Sequence, residues 1–199
     1  DVVFDVILPE LLTLHEILSN LAIREKSTLQ IGRTHGQHAV PITFGYAIAE
    51  YVARLGEQIL KIKNNAYNLR GKLSGAVGAY NASSLLFDDP FEFEREVLAE
   101  LKLKPATHST QVLSPEFILD LTHSIISCYG ILANLSDDMR HLQRSEILEV
   151  AEEFGKDQVG SSTMPHKRNP INFENVKSMW KVTMPKMFTL YSDQISEHQ

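Results

Sequence analysis

Apolar residues recur every three or four positions through most of this chain. Val3, Ile7, Leu11, Leu14, Leu18 and Leu21 fall on one face of a helix over residues 1–26, and Pro9 predicts a kink or restart within it. A second long helix is predicted from about Ile42 to Arg70, opened by Pro41. Its Gly45, Ala47, Ala49, Ala53 and Gly56 are small enough to let another helix come close. The stretch DDPFEFEREVLAEL predicts a third helix with an acidic first turn. The longest is expected from Pro115 to about Val150, with Phe117, Leu121, Ile125, Leu132, Leu135 and Leu142 on its apolar side. A last helix starts at Asn172 and is interrupted at Pro185. No strand-like alternation persists, and no internal repeat is visible. The pattern predicts an all-α fold, a bundle of long antiparallel helices. Helices apolar around so much of their circumference also predict partner copies, so an oligomer is expected.

Composition narrows the function classes. The chain has 199 residues, 43% hydrophobic and 22% charged, enough for a sizeable core. A net charge of -6 argues against a nucleic-acid-binding surface as the main business. Cys128 is the single cysteine, which excludes an internal disulfide framework and a cysteine-based zinc site. It fits a reducing, cytoplasmic setting and is expected to fill a helix face as a small apolar residue. No apolar run approaches the ~18 residues of a membrane span, so no membrane partner is expected. DVVFDVILPELL has no basic leader, does not read as a signal peptide, and begins without Met inside a periodic run. It reads as a piece of something longer.

Four segments interrupt the helices, at 30–41, 72–84, 105–115 and 155–170, and interruptions in a rigid scaffold commonly carry function. In GSSTMPHKRNP (160–170), two prolines prevent helix, Lys167 and Arg168 add permanent cations, and Pro170 leads into a helix start. The N–H groups near Ile171–Phe173 are expected to favour negative charge, so the loop end suits a carboxylate or phosphate. A solvated turn has the same composition. The serines add a hydroxyl whose oxyanion a cationic, N–H-rich pocket can stabilise, although the local pattern is not a nucleophile elbow.

GRTHGQHAVP places His35 in a glycine-relieved turn, where an imidazole can exchange a proton near neutral pH; a capping or surface histidine is the plainer reading. His35 and His38 lack the further ligands a metal site needs, so neither metal nor cofactor is expected. Glu174, in the first turn of the last helix, can orient a histidine or merely favour the helix dipole. Gln111 can hydrogen-bond a carboxylate or face solvent. Lys72, Ser74 and the GAVG run resemble a phosphate cradle only weakly and do not make a P-loop.

Together these residues resemble a known family. GSSTMPHKRNP is similar to the G-S-S-x-M-P-x-K-x-N-P signature loop of the fumarase/aspartase superfamily, and GRTHGQHAVP resembles its T-H-x-Q segment. KLSGAVGAY, the STQ at 109–111, and INFEN are most similar to the adenylosuccinate lyases within it. The resemblance implies that residues 1–199 are a central helical domain including loop 160–170, with N- and C-terminal domains lying outside it. It implies β-elimination of fumarate from adenylosuccinate and the related succinyl-carboxamide ribotide of purine synthesis. Ser161 would be the base, His35 the general acid and Glu174 its charge partner. Thr34, Gln111, Ser162, Lys167, Arg168 and Asn169 would hold the substrate carboxylates. It further implies a homotetramer with sites shared between subunits, so this chain alone is expected to be inactive. The nearest alternative is 3-carboxy-cis,cis-muconate cycloisomerase, which shares MPHKRNP. A non-catalytic helical oligomerisation scaffold is the alternative of a different class.

Overall fold

A computed structural model describes residues 1–153, 155, 160–164 and 166–195. The chain divides into two compact units, one of Asp1–Leu8, Leu60–Ile125 and Pro185–Gln199, the other of Pro9–Ile59 and Ile126–Met184. The all-α architecture expected from the periodicity is present, with two small strand pairs added.

The chain opens with a π-helical turn, Val3–Ile7, that passes into α1, Leu8–Arg24. The change of winding falls just ahead of Pro9, whose ring cannot accommodate an ordinary turn before it. All six residues of the predicted face turn inward at least partly, while Leu12, Ile17 and Ile23 stay exposed. Helix α2, Phe44–Tyr67, buries Ile48, Tyr51, Leu55, Ile59, Ile62 and Ala66, a strict three-and-four spacing. Its small residues do what their size suggests. A Cβ on Gly45 would lie 2.3 Å from the Ala22 carbonyl oxygen of α1, and one on Gly56 would meet the His15 ring at 3.2 Å.

Between α1 and α2 the expectation from sequence needs correction. Residues 29–43 form an antiparallel hairpin, β1 (Leu29–Thr34) and β2 (Gln37–Thr43), rather than an irregular loop. Pairing slips between Ile31 and Arg33, and Pro41 sits within β2, so the alternation that would have announced strands is broken. Thr34 pairs with Gln37, leaving His35 (φ 54°) and Gly36 (φ 73°) as a two-residue turn. Positive φ at both positions is the hairpin turn whose twist matches paired strands. Strand β1 is held by a residue outside the hairpin: the Glu149 carboxylate accepts from both guanidinium NH groups of Arg33 and, at 2.9 Å, from Gln30 Nε2.

In the other unit, short strands β3 (Arg70–Gly71) and β4 (Lys104–Pro105) pair in parallel, and a single helical turn, α3, covers Ser83–Leu86. Helix α4, Pro90–Glu100, is capped by Asp89, whose carboxylate accepts from the N–H of Phe91 and Glu92. Glu94 is 3% exposed, accepting from the Leu73 N–H and, at 2.6 Å, from the Tyr80 hydroxyl. Burial and that carboxylate push the Tyr80 phenol up to about 12.

Helix α5, Glu116–Leu142, ends eight residues before Val150. Its buried positions include Leu119, Leu121, Ile126, Cys128, Ile131 and Met139. Of the predicted face only Leu121 is fully buried; Phe117, Ile125, Leu132, Leu135 and Leu142 are half-buried. α5 and the Val3–Arg24 helix are long and apolar enough, by length and composition alone, to cross a membrane. The charges of α5 gather toward its ends. Helix α6, Ile171–Thr183, and α7, Lys186–Ser192, follow, divided near Pro185 as the sequence suggested.

Burial raises the Cys128 thiol to about 11 and leaves it 2% exposed, so it should stay unmodified by an aromatic disulfide reagent in the native protein. Mass spectrometry showing free-thiol reactivity there would contradict this packing. Hydrogen bonds from Arg33 hold Glu149 below the usual carboxylate range, so its contribution is complete above the ordinary Glu value and fades as pH falls through the lowered one. Glu149→Gln should cost on the order of 1 kcal/mol near neutrality, and the gap to wild type should close in acid. Thermal unfolding across pH measures this.

Candidate active site

The loop that ends in α6 is built around backbone hydrogen bonds. Ser161 Oγ accepts from the N–H of Met164 at 3.2 Å and from that of Thr163 at 3.4 Å. Two N–H groups aimed at one hydroxyl oxygen stabilise negative charge on it, which is what a serine acting as a base requires. Asn169 Nδ2 donates to the Gly160 carbonyl at 3.0 Å and closes the neck of the loop. Lys167 N–H donates to the Met164 carbonyl at 3.0 Å. A mobile lid is the expectation for 155–165; within it, residues 156–159 and 165 lie outside the described residues.

The loop's second arm lines a cleft of about 570 Å³ with the end of α5. Lys167, Arg168 and Asn169 meet Arg140, His141, Gln143 and Arg144 there, with Glu146 as the acidic neighbour. Three of the predicted carboxylate-holding residues therefore share one cationic pocket. Arg140 and Arg144 were not anticipated, although their spacing at a helix end, before a polar turn, was visible in MRHLQRSE. Arg140 also joins Glu174 to the site: its Nε lies 3.7 Å from Glu174 Oε1 and its NH1 donates to Asp137 at 2.5 Å. Lys177 donates to the same Asp137 oxygen at 2.5 Å. Burial pushes Asp137 up, but the hydrogen bonds from Lys177 and Arg140 prevail and hold it below the usual carboxylate range.

One expectation fails here on a physical count. The N–H groups at the start of α6 are not waiting for an anion, because Glu152 already occupies them. Its Oε1 accepts from Phe173 N–H at 3.0 Å, and its Oε2 from Asn172 N–H at 3.3 Å and Asn172 Nδ2 at 2.9 Å. The anion-binding character of the loop rests on its side-chain cations.

The remaining predicted residues lie elsewhere. Thr34 and His35 stand exposed at the hairpin turn. Ser162 is exposed beside Ser161, and among the described residues neither serine lines the cleft. Under the hairpin a larger cavity of about 970 Å³ is lined by Arg33, Tyr51, Asp138, His141 and Arg144. Its Arg33 is bound to Glu149 and its Tyr51 hydroxyl donates to Asp138; burial, then Asp138, raise that phenol strongly.

Gln111 belongs to the other unit. Its backbone carbonyl accepts from Lys72 Nζ at 2.9 Å, and the same ammonium reaches the carbonyls of Gly75 at 2.7 Å and Thr110 at 2.8 Å. The cation that looked like part of a phosphate cradle is instead a strut joining two loops. Ser74 completes the junction through Ser109, hydroxyl to hydroxyl at 2.7 Å. Gly78 is required there, since a Cβ would lie 2.0 Å from the Ser109 carbonyl oxygen.

Comparison with known proteins places the chain in a family. A family model described as lyase matches residues 1–184. The adenylosuccinate lyase of Pyrococcus abyssi is 42% identical over 176 residues, 87% of this chain and 38% of that protein. The adenylosuccinate lyase of Aquifex aeolicus is 37% identical over 198 residues, 98% of this chain and 44% of its own. Among solved structures, the 3-carboxy-cis,cis-muconate lactonizing enzyme from Pseudomonas putida superposes with a TM-score of 0.84 at 28% identity, covering 98% of this chain and 43% of that one. The chain thus spans about two fifths of the length of the curated relatives it matches. With the family model covering nearly all of it, the chain belongs to the lyase family, within the fumarase/aspartase superfamily that its loop 160–170 resembles.

Proposed function

We propose that the protein is a carbon–nitrogen lyase that releases fumarate from adenylosuccinate and the succinyl-carboxamide ribotide. The observation that carries this reading is Ser161, whose hydroxyl oxygen takes two backbone N–H donors in a loop whose other arm lines a cationic cleft. Ser161, as its alkoxide, takes a proton from the carbon beside a succinyl carboxylate and becomes the hydroxyl, and the electron pair moves into that carboxylate, doubling its negative charge. Lys167 and Arg168, with Asn169, Ser162, Thr34 and Gln111, hold the carboxylates through that change. The pair then returns to form the carbon–carbon double bond as the C–N bond breaks. His35 protonates the departing nitrogen, with Glu174 as its charge partner supplied across a subunit boundary. Within this chain Glu174 faces Arg140.

On this reading residues 1–199 are the central helical domain, further domains complete the protein, and the chain alone does not turn over. Exposed Leu12, Ile17, Met179, Val182 and Phe188 suit the helix-to-helix contacts of a homotetramer. The setting is cytoplasmic, where the purine nucleotide substrates are made. The likeness to a muconate lactonizing enzyme favours cycloisomerisation as the second reading. A scaffold without chemistry has no need of N–H donors aimed at Ser161.

The full-length protein should release fumarate from adenylosuccinate and leave carboxymuconate unchanged, followed by absorbance. The opposite preference would replace the lyase reading with the cycloisomerase one. Ser161→Ala should lower kcat by about 10³-fold with substrate binding retained, and full activity would remove the base assignment. His35→Asn, which suits the positive φ of the turn, should lower kcat by about 10²-fold or more at unchanged Tm.

A further inference from the structure

Glu152 is 9% exposed and Gln143 is 8% exposed, two polar side chains buried together at the junction of α5, the loop and α6. Neither is part of the chemistry outlined above. Gln143 stands one residue beyond α5; its Oε1 accepts from Glu152 N–H at 3.0 Å and its Nε2 donates to the Arg168 carbonyl at 3.3 Å. Glu152 in turn holds the first turn of α6 with both carboxylate oxygens. The five hydrogen bonds form a chain that runs from the end of α5 to Arg168 on one branch and to Asn172 and Phe173 on the other. Between those two branches lie Asn169, which closes the loop neck on Gly160, and Pro170. Glu174 follows one residue after Phe173, on the same helical turn.

We infer that Glu152, seated on Gln143, is a positioning residue that fixes Lys167–Asn169 and Glu174 relative to the end of α5. This rests on the reading of loop 160–170 as the reactive site. A carboxylate is needed because three donors converge on it: two backbone N–H groups and one side-chain amide. In Glu152→Gln one oxygen becomes an NH₂ group that must face a donor, so size is kept and the cap is spoiled. Misplacement of the anchored cations by a fraction of an ångström weakens transition-state binding without removing any reacting group.

The test uses the full-length protein with fumarate release as the assay. Glu152→Gln should lower kcat about 10- to 100-fold, with Tm within about 3 °C of wild type and both limbs of the pH–rate profile unmoved. Asn172→Ala, at an exposed position, removes one of the three donors and should lower kcat about fivefold. Amide exchange at Asn172 and Phe173 should quicken in Glu152→Gln. Wild-type kcat and KM in a folded Glu152→Gln variant would overturn the inference and leave a structural cap only. Should that variant not fold, Asn172→Ala decides: reduced kcat at native Tm supports the inference, and unchanged kinetics overturn it. Activity retained in Ser161→Ala defeats the base assignment alone, because the role of Glu152 is judged by the ratio of Glu152→Gln to wild type. A wild-type protein inert toward adenylosuccinate would overturn the catalytic claim together with the lyase reading, with amide exchange still deciding whether the cap exists.

Discussion

The first N–H groups of a helix have no partner inside it, and where they are buried something must accept from them. At α6 that acceptor is Glu152, and its presence organises the surrounding site. A negative charge on the positive end of the helix is favoured by the dipole as well as by the hydrogen bonds. With that end neutralised, the side chains of Arg140, Arg144, Lys167 and Arg168 remain as the attraction for an anion in the neighbouring cleft. Backbone donors are instead concentrated on Ser161. The loop thus holds two separate sets of groups: backbone amides that meet the Ser161 hydroxyl, and side-chain cations that line the cleft.

Much of the scaffold was legible because helical burial repeats every three or four residues, and α1 and α2 follow that rule closely. Gly45 and Gly56 were readable from size alone, and the structure uses both at close approaches. α5 was harder, since it is apolar nearly all round and buries a different stripe from the one its leucines suggest. The hairpin at 29–43 escaped notice for a local reason: a slip in register and a proline inside β2 erase the two-residue period.

The site shows the same division. Loop 160–170 stood out by composition, and four of its polar residues, His166, Lys167, Arg168 and Asn169, do share a pocket. Glu152 was invisible because its partners lie about 20 residues on, and nothing in AEEF distinguishes a capping carboxylate from a surface one. Lys72 misled in the opposite direction. A lysine among glycines suggests phosphate, yet three backbone carbonyls take all three of its ammonium protons. Its placement depends on a loop some 40 residues away, which local pattern cannot report.

The hairpin turn at His35 carries a constraint of a different kind. A residue with φ of 54° sits where most side chains are strained, by roughly 1 kcal/mol, and where β-branched ones fare worst. Gly, Asn, Asp and His are the residues that such a backbone tolerates well. Of that short alphabet, His alone exchanges a proton near neutral pH. Geometry has therefore narrowed the choice at this position before any chemistry is asked of it.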